Sequence, residues 1–331
     1  MRDGTRPGSV VGIVAIGRNE GERLRRCLDS ATRLAACVVY VDSGSSDGSV
    51  AMARAKGVEV VELDLTIPFT AARARNEGFK RLRVLAPDLR YVQFVDGDCE
   101  LADGWLEKAV NFLNSHQDVA IVCGRRRERF PERSIYNKLC DMEWDTPVGV
   151  ALACGGDALV RADAFETVSG FRASLMAGEE PELCIRLRAA GWRIWRLGEE
   201  MTLHDAAMTR FSQWWRRGLR GGYGFAQLLE LHGRLAEMRW TQSLLSVWFW
   251  GLGIPVAVSG FVLWWGPSAL VLLLIYPLQV VRIVLRDGRS ARENWWFAGF
   301  AMLWKVPVMF GQMKFLLHRY LGGRSRLIEY K

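Results

Sequence analysis

The sequence predicts an α/β protein, a mostly parallel sheet with helices on both faces, followed by an α-helical membrane region. Three observations carry that expectation. β-branched and aromatic runs at residues 10–16, 37–41 and 91–95 each stop abruptly at a polar, glycine-bearing stretch. The first two then give way to apolar residues at helical spacing, which is the strand, loop, helix unit of a parallel sheet. Residues 241–281 carry no charge at all, and that length matches two bilayer crossings of about 20 residues each.

Taken in order, the first run ends at Gly17-Arg18-Asn19-Glu20-Gly21, and residues 22–34 place Leu24, Cys27, Leu28, Ala31 and Leu34 on one helical face. The second run ends at Asp42-Ser43-Gly44-Ser45-Ser46-Asp47-Gly48, before a helix over 49–56 and a short strand over 58–63. A basic helix over 70–83, with Arg73, Arg75 and Asn76 near its start, leads into the strand over 91–95. A helix over 105–113 and a strand over 119–123 come next. Ligands of open parallel sheets bind beyond the carboxyl ends of strands, so Asp42, Asp96 and the 17–21 loop are expected to line one crevice.

The third strand stops at Asp96-Gly97-Asp98. Gly97 permits a tight turn that lets both carboxylates converge on one point, and hard oxygen ligands at such a point suit Mg²⁺ or Mn²⁺ held against a diphosphate. A solvated turn is the plainer reading of an isolated Asp-Gly-Asp. No G-x-G-x-x-G follows the first strand and no G-x-x-x-x-G-K-[ST] occurs, which argues against nicotinamide-dependent and P-loop chemistry. A formal net charge of +8 raises the question of nucleic acid, but no basic run or recognition signature accompanies it, so no nucleic-acid partner is expected. The seven cysteines are odd in number and form no C-x-x-C pair, as expected of reduced cytosolic thiols. The polar start of the chain resembles no secretory signal, which puts the expected catalytic region in the cytosol.

Four segments in order, ending in Asn19-Glu20, Asp42-Ser43-Gly44-Ser45-Ser46-Asp47-Gly48, Ala74-Arg75-Asn76-Glu77-Gly78 and Phe94-Val95-Asp96-Gly97-Asp98, resemble the family-2 glycosyltransferases of the GT-A fold. The resemblance covers about residues 10–220. It implies a nucleoside-diphosphate sugar donor, with UDP the first base to consider, bound by Asn19, Glu20, Asp42, Arg75 and Asp96. It further implies that Asp42 meets the base, Asp96 the ribose and the metal edge, and Asp98 the Mg²⁺ or Mn²⁺ on the diphosphate. His204, in Leu203-His204-Asp205, resembles a late histidine that many such enzymes bring to the metal.

On the acceptor side, Gly155-Gly156-Asp157-Ala158 resembles the family's segment where a strand gives way to a helix, which assigns Gly156 and Asp157 to the acceptor or diphosphate. Glu179, Glu180 and Glu182 crowd a predicted helix start, where carboxylates also simply complement the helix dipole. The family has Glu-Asp at this point, the second acid being the general base. Here that position is Glu180, one methylene longer, with Glu179 beside it. Gln213-Trp214-Trp215-Arg216-Arg217 resembles the Gln-x-x-Arg-Trp motif of polymerising members, with arginine where the tryptophan belongs. Gln213, Trp214, Trp215 and Arg216 are expected at the acceptor or diphosphate, with either tryptophan a sugar platform or an interfacial anchor.

The expected organisation is a cytosolic catalytic domain over 1–210, an interfacial amphipathic segment over 211–240 and a membrane region over 241–331. The last holds a hairpin at about 243–281 and a third segment at about 294–317, expected to be interfacial or re-entrant because Lys305 and Pro307 sit in its middle. Four arginines between residues 282 and 292 put that loop on the cytosolic side of an inner membrane. The expected reaction is metal-dependent, inverting sugar transfer to a lipid-linked or glycan acceptor at the membrane. A processive synthase, a non-catalytic scaffold of the same fold and a nucleotidyltransferase are the alternatives.

Overall fold

The computed structural model describes residues 10–233, 238–287 and 291–321. The chain forms two compact units, residues 1–209 and 210–331.

The first unit is built on β1 (Val11–Gly17), α1 (Glu22–Leu34), β2 (Cys37–Asp42), α2 (Ser49–Ala55), β3 (Glu59–Glu62), α3 (Ala71–Leu85) and β4 (Tyr91–Asp96). β1, β2, β3 and β4 pair in parallel in the order β3-β2-β1-β4. Their buried β-branched residues, Ile13, Val14, Val39, Val41, Val92 and Val95, form the centre of the core. Strand register places two of the acids: Gly17 lies opposite Asp42 and Ile16 opposite Asp96, so both leave the sheet at one edge, on either side of β1.

Next come β5 (Cys99–Leu101), α4 (Trp105–Ser115), β6 (Val119–Glu128), α5 (Ile135–Glu143), β7 (Gly149–Ala151), β8 (Ala158–Arg161), α6 (Ala162–Thr167), α7 (Glu179–Ala189) and β9 (Arg193–His204). The sheet continues β4-β8-β6-β9-β5, with β8 antiparallel to β4 and β6. β6 runs five residues beyond the expected 119–123 and pairs in parallel with β9 through bulges, which swings its charged end toward β4. α3 lies unusually close to the sheet. A Cβ on Gly78 would sit 2.3 Å from Val14 Cγ1, so only glycine permits this approach, which lowers Arg75 onto the strand ends.

The second unit begins with α8 (Phe211–His232) and α9 (Met238–Trp248). A π-helical turn over Phe249–Gly253 carries α9 into α10 (Ile254–Trp265), and Gly266 turns the chain into a 3₁₀ segment, Pro267–Leu274, and α11 (Ile275–Asp287). Two stretches here, Ser243–Trp265 and Pro267–Arg286, are long and apolar enough to cross a membrane, and little of either is buried. α12 (Ala291–Leu321) is a single helix of 31 residues that runs straight through Pro307. The re-entrant expectation for this segment is therefore corrected: the helix contains no turn at which the chain reverses. Its buried residues Ala298, Met302, Met309 and Gln312 recur at three, four and seven residues, one face packed on the unit.

Candidate active site

The loops after β1 and β2 are stitched together. Asn19 adopts φ 55°, its backbone N–H donates to Ser45 Oγ at 2.9 Å and its Oδ1 accepts from Ser46 N at 2.7 Å. Gly21 N–H donates to Asp47 Oδ2 at 3.0 Å. Glu20 pairs with Arg23 at 2.7 Å. Asp42 is buried, and its Oδ1 accepts from Tyr40 Oη at 2.8 Å while Oδ2 accepts from the backbone of Gly44 and Ser45 at 2.9 and 2.8 Å. Burial beside that carboxylate pushes the Tyr40 hydroxyl far up, so it stays a donor. Asp42 thus shapes the loop around itself.

Asp96 is held by cations. Arg75 Nη2 donates to its Oδ1 at 2.8 Å and Arg126 Nη2 lies 3.2 Å from Oδ2. The Arg75 guanidinium, itself buried, also reaches Glu179 at 3.0 Å and Glu180 at 3.1 Å. Three carboxylates around it hold its pKa above the usual arginine range despite burial. Glu180 is the most accessible of the glutamates at the start of α7, with 16% of its side chain exposed. Its carboxyl is pushed up to about 7, first by burial and then by the charge of Glu179, with Arg75 opposing. Glu182 belongs elsewhere: it is fully buried and bound by Arg186 at 2.7 Å and Arg172 at 3.1 Å.

Gly156 touches Arg75 and Asp96 so closely that a Cβ there would meet Arg75 Nη2 at 2.5 Å. Asp157 departs from its expected acceptor role. It is 1% exposed, with Oδ1 accepting from Asp96 N–H at 3.0 Å and Oδ2 from Thr202 and Arg126 at 2.8 Å. It positions Asp96 and Arg126 and offers no free edge to a substrate. Asn76 ties the acceptor-side segment to α3, donating to Phe171 O at 2.7 Å and accepting from Phe171 N–H at 2.9 Å.

Asp98 is buried 3.3 Å from His204 Nε2, and His204 Nδ1 lies 3.4 Å from Glu128 Oε2. β9 delivers the histidine because Cys99 of β5 pairs with His204 in register. Glu128 also accepts from the backbone of Ala206 and Phe130 and from Asn137. A neutral imidazole carries one ring hydrogen, so with a carboxylate at each ring nitrogen one lone pair faces an acceptor. Burial first, and the Arg126 charge after it, push the His204 pKa down, against the imidazolium. A lone pair facing a carboxylate in a buried site calls for a cation between them. Four carboxylates, those of Asp96, Asp157, Glu179 and Glu180, surround two guanidiniums, and two more, those of Asp98 and Glu128, face His204, so the donor set fits a divalent ion. Asp96 and Asp98 do not, however, meet at one point as the turn was expected to arrange: Asp96 groups with Cys99 and Asp157, and Asp98 with Cys99 and His204.

The sequence expectations missed Arg126 and Glu128, which lie in the charged extension of β6. The remaining candidates belong to the second unit. Gln213 caps α8, its Oε1 accepting from Arg210 N–H at 3.0 Å. Trp214 is not available as a sugar platform, because its ring is buried against Phe300 and Trp304 at 5.3 and 5.0 Å. Trp215 is half-buried beside Phe211, and Arg216 is exposed.

Comparison with known proteins agrees with this fold. The model of the family described as glycosyl transferase family 2 matches residues 13–167. The chain is similar to glycosyltransferase AglE of Haloferax volcanii, 25% identical over 233 residues that cover 66% of this chain and 73% of the relative. Its fold is similar to that of mannosyltransferase PcManGT from Pyrobaculum calidifontis, solved with GDP-Man and Mn²⁺, at a TM-score of 0.62 and 16% identity over 92% of this chain and 87% of that one. It is also similar to S. aureus TarS 1–349, solved with UDP-GlcNAc, at a TM-score of 0.51 and 13% identity over 96% and 93%. The chain therefore carries a family-2 glycosyltransferase domain on the GT-A fold, and it is a glycosyltransferase.

Proposed function

We propose that this protein transfers a sugar, with inversion, from a nucleoside diphosphate to a hydroxyl of a membrane-associated acceptor, and that Glu180 is the general base. The observation that carries this reading is Glu180 itself, a partly exposed carboxyl pushed up to about 7 and linked through Arg75 to Asp96. A base is most effective when its pKa lies near the working pH. The acceptor oxygen bonds to the anomeric carbon as the bond from that carbon to the diphosphate oxygen breaks on the opposite face. The hydroxyl proton passes to Glu180 and the electron pair departs with the diphosphate.

Asp98 and His204 would hold Mg²⁺ or Mn²⁺, which when bound stabilises the charge developing on the leaving diphosphate, and Asp96 would face the donor from the neighbouring group. Arg75 and Arg126 keep Asp96 aimed, and Asn19 and Asp42 keep the loops over the donor in shape. That both similar solved structures were obtained with nucleotide sugars supports the donor class. The two long apolar helices and the four arginines from Arg282 to Arg292 support anchoring in an inner membrane with the catalytic unit on the cytosolic side. Confinement there raises the effective concentration of a lipid-linked acceptor without new contacts.

The test is release of nucleoside diphosphate by the detergent-purified protein from UDP-, GDP- and dTDP-sugars, with Mn²⁺ or Mg²⁺ and a lipid extract. Lipid-dependent release that Glu180→Gln abolishes is expected with one donor. Metal-dependent donor binding without release from any donor would overturn the reading in favour of a non-catalytic scaffold.

A further inference from the structure

The helical unit carries a half-open cavity of about 570 Å³ that the proposed reaction leaves unused. That volume is within the range of small-ligand pockets, about 300–1,000 Å³. Ala226 and Leu229 of α8, Trp248 of α9, and Gln312, Phe315 and Leu316 of α12 line it. Most of the wall is apolar, Glu230, Arg319 and Tyr320 line it as well, and the buried amide is the unusual feature. The Gln312 side chain is 1% exposed, yet among the described residues neither its Oε1 nor its Nε2 has a hydrogen-bond partner. Native structures rarely leave a buried amide unpaired, so a partner from outside the chain is the natural account.

The backbone explains how the cavity forms. α8 and α12 touch at glycines: a Cβ on Gly222 would lie 2.1 Å from Val308 O, and one on Gly311 2.1 Å from Leu219 O. The lining residues come after that contact on both helices, where larger side chains replace glycine. Farther along, the exposed ion pair of Glu230 and Arg319 borders the same cavity. An occupant must match hydrocarbon on Trp248, Phe315 and Leu316, offer oxygen to an amide, and reach the ion pair of Glu230 and Arg319 at the rim. A glycerophospholipid has all three parts, whereas a free sugar or nucleotide would desolvate its hydroxyls against apolar walls. α9, which supplies Trp248, runs through its π turn into α10, whose Leu263, Trp264 and Trp265 are exposed, a surface suited to lipid.

We infer that this cavity is a specific phospholipid site, with an acyl chain on the aromatic and leucine wall, glycerol or ester oxygens at Gln312, and the phosphate toward Arg319. The inference rests on the proposed membrane anchoring, and its test separates the two. Full-length protein is reconstituted in phosphatidylethanolamine vesicles doped with a diazirine-bearing phosphatidylglycerol, irradiated, and mapped by mass spectrometry. Labelling near Trp248 and Phe315 is expected to saturate and to be competed by plain phosphatidylglycerol. Labelling at Leu263 is expected to rise in proportion to the probe without competition. Gln312→Leu is expected to lower the cavity labelling about fivefold, the effect of one lost hydrogen bond, while leaving Leu263 unchanged. In detergent stripped of phospholipid, Gln312→Leu is expected to melt no lower than wild type, and added phosphatidylglycerol to raise the Tm of wild type alone. An unlabelled cavity, labelling there as unsaturable as at Leu263, or labelling that Gln312→Leu leaves untouched overturns the lipid site with the membrane anchoring intact. Absence of labelling at Leu263 as well overturns both.

Discussion

Asp42 and Asp96 leave the sheet at the same edge, on either side of β1, yet the protein holds them in opposite ways. Asp42 is 2% exposed and takes every hydrogen bond from neutral donors within its own strand and loop. Asp96 has 29% of its side chain exposed and is held by two guanidiniums that arrive from α3 and β6. Neutral donors of the local chain fix a carboxylate as a piece of framework. Long cationic side chains hold one by charge while leaving it able to exchange partners when a diphosphate or a cation arrives. The donor loops are therefore framework and the acid–arginine cluster is the working part, a contrast that mutations can break.

The largest effects belong to the working part. Chelation of the divalent cation with EDTA is expected to stop turnover, and Asp98→Asn to abolish Mn²⁺-dependent donor binding in calorimetry. Glu180→Gln is expected to lower kcat about 10²- to 10⁴-fold with little change in donor KM. With the base pushed up to about 7, wild-type turnover should rise with pH through that value, since the carboxylate must be free to take a proton. The stability sign is opposite. The folded pKa lies above the ordinary 4.5, so the folded state binds the extra proton, and the stabilisation present below about 4.5 is lost as pH rises through about 7. Wild-type Tm is expected to fall between pH 5 and pH 8 relative to Glu180→Gln; parallel Tm profiles would mean that Glu180 is as settled as Asp42.

Arg75→Leu tests the cluster's cohesion. It leaves Asp96, Glu179 and Glu180 facing one another around a buried gap, and removing one partner from a buried ion network costs about 3–5 kcal/mol. Urea unfolding is expected to show that loss in the catalytic unit. A loss below about 1 kcal/mol would mean that water already screens these charges.

The framework was legible in the sequence and the working cluster only in part, for a physical reason. Strand and helix periods are written locally, so β1, α1, β2 and β4 were expected within a residue or two, and Asp42, Asp96 and the 17–21 loop were expected at one edge. The run Gly124-Arg125-Arg126-Arg127-Glu128 has no apolar alternation and reads as a loop. It becomes strand because β9 pairs with it and Asp141, Asp157 and Glu200 supply the opposite charges. Those partners lie 16, 31 and 73 residues away, so no local pattern announces them. For the same reason Asp157 was expected at the substrate, although its burial beside Arg126 makes it a brace. α12 misled in the other direction. Pro307 reads as a break, but its ring packs where Gly218 has no side chain, a Cβ there lying only 2.9 Å away, and the helix continues.

The smallest expected effect is the sharpest test of the contrast. Tyr40→Phe removes one hydroxyl from a fully buried ring and leaves Asp42 Oδ1 without its donor, while Gly44 and Ser45 still hold Oδ2. An acceptor stripped of its partner in the interior costs about 1–3 kcal/mol. Framework status means that this cost appears in urea unfolding while kcat stays within about twofold, because the ring still packs and the loop keeps two of its three bonds. If kcat fell instead with stability unchanged, Asp42 would be exchanging partners during turnover, and the neutral donors around it would be a resting arrangement of the same kind as the arginines around Asp96.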